Sequence, residues 1–124
     1  MKTIWQLILI GSATIFFQCS SSNTASIQVA ESEEKHELIV MDSGFNSWLA
    51  TQPSIEMYSH AYLKTKNVTF VAEYNSRVNN RQYYGNDLYP QRIEYSSTEV
   101  YDKELDYTLY NYFMYFQEKY NQRL

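Results

Sequence analysis

Apolar positions change their spacing along this chain, and each spacing predicts a different element. From Asp102 to Asn121 the residues Leu105, Leu109, Tyr112, Phe113, Phe116 and Tyr120 recur at steps of three and four. At the helical period they share an arc of roughly 100°, the core face of an amphipathic helix. Asp102, Glu104 and Asp106 stand at its start and Lys119 and Arg123 near its end, which complements the helix dipole. Tyr107, Tyr110 and Met114 form a second apolar patch on the far side. Either the tyrosine-rich loop upstream covers that patch, or it is a docking face for a partner.

The centre of the chain is less regular. Ser54 follows Pro53 as a helix cap, and Ile55, Tyr58 and Tyr62 make one stripe. Leu63, Phe70, Val71, Tyr74 and Val78 make another, on a different side of a continuous helix. The weak helix formers Thr65, Asn67, Val68 and Thr69 lie between them, so a kink or break is expected near 64–69. A strand is the rival reading, since Val68, Phe70, Ala72 and Tyr74 also alternate.

Upstream, HELIVMD (36–42) reads as a short buried strand ended by Asp42, Ser43 and Gly44. Phe45, Trp48 and Leu49 then predict a turn or two of helix closed by Pro53. Residues 79–100 form a long loop with turn signals at Gly85, Asn86, Asp87 and Pro90, and Arg92 to Tyr95 add a possible short strand. The fold class is α+β, mainly α. It is a small single domain with a short N-terminal strand, two or three helices and a long C-terminal tyrosine-rich amphipathic helix.

The N-terminus follows a different logic. Lys2 precedes a mostly apolar stretch, IWQLILIGSATIFF (4–17), which is shorter than the ~20 residues of a membrane-spanning helix and matches the core of an export signal. Cys19 closes it and SSSN follows, an arrangement that resembles a bacterial lipobox, although Gln18 stands where a small residue is usual. Residues 1–18 are therefore expected to be a lipoprotein signal peptide and Cys19 the lipidated residue. Residues 19–35, rich in Ser, Thr, Asn and Glu, are expected to be a flexible tether. The globular domain is then 36–124.

Composition sharpens this picture. Thirteen tyrosines in 124 residues mean that Tyr has to build the core, and a lone cysteine removes any internal disulfide. The formal net charge of −4 speaks against nucleic acid as a partner, because phosphate binding needs clustered Lys and Arg.

Candidate chemistry is sparse. Glu56 and His60 are one helical turn apart and could share a metal, but a zinc site needs further ligands and none is indicated nearby. Asp102, Glu104 and Asp106 alternate without the glycine and distal Glu of a calcium loop, so they read as helix-start charge. Glu94, Glu99 and Asp102 could supply paired carboxylates, but their separation is not a property of sequence. GxGxxG, Walker and GxSxG patterns do not occur. No catalytic residue, metal site or cofactor is expected.

The runs LIVMDSGFNSWLATQP, EYNSRV, YYGNDLY and LDYTLYNYFMYFQEKYNQRL resemble a family of small lipoproteins from Bacteroidota known only as a domain of unknown function. The resemblance implies an envelope lipoprotein on the outer membrane and carries no activity or site residue with it. The expected function is that of a lipid-anchored, non-catalytic interaction or structural module with an envelope partner, through Tyr107, Tyr110 and Met114. The alternative is glycan or peptidoglycan binding, with Tyr83, Tyr84 and Tyr89 as stacking platforms.

Overall fold

Two long helices lie side by side and everything else is arranged around them. The computed structural model describes residues 27–32, 35–85 and 87–124. The expected signal peptide and Cys19 lie outside the described residues.

Helix α2 (His60–Asn79) and helix α4 (Lys103–Lys119) form the pair. They run parallel, because His60 meets Asp106, Phe70 meets Phe113, Tyr74 meets Phe116 and Arg77 meets Gln122. A parallel pair requires the connection 80–102 to travel back along the whole of α2, about 30 Å for twenty residues of helix. The long loop read from the sequence is that return path.

Helix α2 has no break. Its buried face is Leu63, Asn67, Val71, Tyr74, Asn75 and Val78, a regular stripe in which two positions are polar. The expected kink at 64–69 rested on two stripes on different sides and on the weak helix formers between them; one of these, Asn67, is instead a core position held by side-chain bonds to the Asp106 carbonyl and carboxylate. The strand alternative is ruled out by the same helix. Its cap is Ser59, whose Oγ accepts from the Tyr62 amide, while Ser54 opens only a 3-10 turn over Ile55–Met57.

The single N-terminal strand becomes a hairpin. β1 (Ile27–Ser32) pairs antiparallel with β2 (Lys35–Val40), with Ile27 opposite Val40 and Ser32 opposite Lys35. β1 therefore lies within the segment 19–35 expected to be tether, and Ile27 belongs to the core. Polar composition hid β1, because a strand's stability comes from its partner and one buried side chain at its end rather than from its own residues.

Arg92 to Tyr95 form no strand. The backbone of Ile93 is held instead by one side chain: Asn75 Nδ2 donates to the Ile93 carbonyl at 2.9 Å and the Ile93 amide donates to Asn75 Oδ1 at 2.8 Å. An amide side chain takes the place of a neighbouring strand.

Short helix α1 (Phe45–Leu49) forms where the sequence places it and drives Phe45 between Tyr112 and Tyr115 in edge-on contacts of 5.7 and 5.6 Å. The turn before it needs Gly44, since a Cβ there would fall 2.7 Å from the Tyr115 hydroxyl, which is itself fixed by a bond to Asp42. Helix α3 (Arg81–Tyr84) starts the return path. The core is largely aromatic, built on Tyr74, Tyr89, Tyr112, Phe45, Phe113 and Phe116. At the far end Arg77 gathers Glu73 (2.9 Å), the Tyr89 hydroxyl (2.7 Å) and the Arg123 carbonyl, and its guanidinium covers Tyr84.

Candidate functional site

Helix α4 turns its second apolar patch toward the segment 53–62, not toward the tyrosine-rich loop. Tyr58 meets Tyr107 at 6.1 Å and Tyr110 at 5.4 Å, and stacks on Tyr62 at 6.0 Å. Tyr62 in turn meets Tyr110 edge-on at 5.9 Å, and Phe70 closes the cluster from α2. The Tyr107 hydroxyl donates to the Pro53 carbonyl at 2.7 Å, tying the 3-10 segment to α4.

Of the trio expected to be exposed on this side, the structure leaves one at the surface. Tyr110 is buried and Tyr107 is half-buried, and Met114 remains exposed at 38%. Met57, 74% exposed, and Tyr62, 42% exposed, belong to the surface of this side as well, and neither was expected there. Met57 comes from the one-turn 3-10 segment Ile55–Met57 and Tyr62 from the first turn of α2. Lys66 lies over the outer Tyr62 ring at 5.8 Å.

The loop tyrosines divide in the same way. Tyr83 is 79% exposed and meets Tyr84 edge-on at 4.8 Å. Tyr89, expected as a stacking platform, is fully buried between Tyr74 and Phe116, with ring centroids at 5.0 and 5.5 Å. Its hydroxyl accepts from Arg77 and donates to Gln122 at 2.8 Å, so neither face is open to a ligand.

Two buried carboxylates organise the polar interior. Asp106, which the DKELD run presented as solvent-facing helix charge, is 0% exposed. Its Oδ1 accepts from the Tyr95 hydroxyl at 2.6 Å and from Asn67 at 3.1 Å, and its Oδ2 pairs with His60 Nε2 at 2.7 Å. His60 thus faces Asp106 and not Glu56, which removes the Glu56–His60 metal pair. Burial first, and the bond to Asp106 second, push the Tyr95 phenol far above its ordinary range. Glu94, Glu99 and Asp102 are all exposed. Among the described residues no three His, Cys, Asp or Glu side chains come together to hold a metal, and no helix is long and apolar enough to cross a membrane.

Asp42 is the second centre. It accepts from the Tyr115 hydroxyl (2.8 Å), the Tyr120 hydroxyl (3.1 Å), the Gly44 amide (3.1 Å) and Lys119 (3.0 Å). Burial alone would raise its carboxyl; the bonds from Lys119, Tyr115, Gly44 and Tyr120 outweigh burial and hold it below the ordinary 3.8. A lowered folded value means that this stability is complete above the ordinary value and is lost as pH falls through the folded one. Urea midpoints should therefore fall from pH 5 toward pH 2 in the wild type, and less steeply in Asp42→Asn; equal slopes would show that Asp42 is not the linked group.

The sequence model of a family of unknown function, DUF6146, matches residues 2–124. No curated protein and no solved structure matches the chain.

Proposed function

The chain belongs to this family of unknown function; we propose that it is a lipid-anchored envelope protein whose domain is a non-catalytic docking module. Cys19 is the acylated residue, the outer membrane is the compartment, and a second envelope protein is the partner. The observation that carries the docking role is the exposed side chains of Met57, Tyr62 and Met114 beside the half-buried ring of Tyr58 and the buried ring of Tyr110. Tyr and Met are enriched at protein interfaces because they combine large contact area with adaptable packing. The two buried carboxylates support the same reading, since each is saturated by donors from distant elements and serves to lock the scaffold. The leader and Cys19 support the anchor.

Tyr107 and Tyr110 are structural in this arrangement, so the test uses the exposed Met57 and Met114. A photo-crosslinker at position 114, installed in cells, should trap one envelope protein, and the same crosslinker at exposed Glu104 should not. Replacing Met57 with Ser should abolish the crosslink and leave the melting temperature within about 3 °C, the scale of surface substitutions. An unchanged crosslink in that variant would refute the docking face.

A second reading retains one specific support. Tyr83 presents its ring to solvent beside Tyr84, as a platform for the apolar face of a sugar would. It makes the domain a glycan or peptidoglycan binder. Tyr83→Ser should then remove binding of envelope glycan fragments, followed by tyrosine fluorescence, and unchanged binding would dismiss the platform.

A further inference from the structure

The outer side of α2 and the returning segment 91–97 enclose a shallow groove of about 460 Å³, within the range of small-molecule sites. Its shape follows from Asn75, whose side-chain amide makes one donated and one accepted bond to the Ile93 backbone and so fixes the segment at a set distance from the helix. Tyr95 supplies part of the wall. Its tilt is fixed twice, by the bond to Asp106 and by stacking on Tyr101 at 4.7 Å. The groove's boundaries are thus tied to the buried polar centre and do not depend on loop chemistry.

The lining chemistry is specific. Val68 and Ala72 provide an apolar floor, and Ser76, Asn79 and Ser97 provide neutral hydrogen-bonding groups. Arg92 is the only charged side chain among the described lining residues. One of its Nη1 donors makes a long 3.3 Å bond to Asn79 Oδ1, which orients the guanidinium and leaves most of its five donors for another acceptor. That same bond turns the Asn79 Nδ2 outward as a donor.

We propose that this groove binds a sugar that carries a carboxylate. A pyranose ring has an apolar C–H face for the valine and alanine, and hydroxyls for the serines and Asn79. The carboxylate matches the single guanidinium, a charge-assisted and potentially bidentate pair. One cation in a chain of net charge −4 suits a singly charged ligand and disfavours polyphosphates. The groove does not include Tyr83, Tyr84 or Tyr89, so it is a different site from the tyrosine platform and does not depend on it.

The test is titration of the full chain, purified in detergent, with glucuronic acid and with glucose, followed by amide NMR. Glucuronic acid should produce saturable shifts at Ser76, Asn79 and Arg92, with millimolar affinity roughly tenfold tighter than glucose, the value of a charged hydrogen bond. Arg92→Gln should weaken it by about the same factor, with an unchanged melting temperature, and Tyr83→Ser should have no effect. Equal affinity for the two sugars, no saturable shift with either, or full affinity in Arg92→Gln would overturn the proposal. Loss of binding in Tyr83→Ser alone would overturn it too and leave the platform reading standing.

Discussion

Asp106→Ala should cost about 3–5 kcal/mol of folding stability, the range for removing one partner from a buried, hydrogen-bonded charge. The carboxylate is fully buried and three side chains from two segments converge on it: His60 at the start of α2, Asn67 about two turns further along the same helix, and Tyr95 on the returning segment. Alanine would leave the half-buried Tyr95 hydroxyl without its acceptor and Asn67 with only its bond to the residue 106 carbonyl, and an unpaired buried donor loses its full desolvation energy. The loss is also larger than for an isolated bond, because the same bonds position the wall of the groove and the first turn of α2. Small domains hold only about 5–15 kcal/mol in total, so the urea midpoint should fall by about a fifth or more. Glu104→Ala, two residues away and exposed, should change it by less than about 0.5 kcal/mol. Equal effects from both substitutions would return Asp106 to the role of solvent-facing helix charge.

That role is what local reading assigns to it, and the reason is physical. The partners of Asp106 are 46, 39 and 11 residues away, and a carboxylate in the first turn of a helix has a sufficient local explanation in the dipole. Helix α4 was legible because its buried face is nearly all apolar, from Leu105 to Phe116. Helix α2 was read as two stripes with a kink because Asn67 and Asn75 occupy core positions on its face. Apolar counting registers such positions as gaps, and only the partners, the Asp106 carbonyl and the Ile93 backbone, show them to be core.

The tyrosines follow the same rule. Their spacing told which lie near the core, but not which turn outward, because a Tyr ring suits both an interior with a buried acceptor and a wet surface. Tyr89 became core when Arg77 and Gln122 met its hydroxyl, and Tyr83 became surface when the α3 turn left it without cover. The pair Tyr107 and Tyr110 lost its exposure to a 3-10 turn that the sequence presented as the start of α2. β1 was invisible for the same reason at the level of backbone: its register is set by β2.

The anchor is the second large effect. Replacing Cys19 should not alter the folded domain, whose described part begins at Ile27, but it should move the protein from the membrane pellet to the soluble fraction. A single acyl chain holds a protein only marginally, whereas the two or more chains of a diacylglyceryl group hold it stably, so the shift should be nearly complete. Cys19→Ala should also block cleavage before position 19 and leave the leader in place. The measurement that bears most directly on the account is therefore the intact mass of the protein isolated from fractionated native cells. The account predicts a chain that starts at Cys19 and carries a thioether-linked diacylglycerol on that sulfur; an unacylated Cys19, or a chain that retains residues 1–18 and partitions into the cytosol, would contradict it.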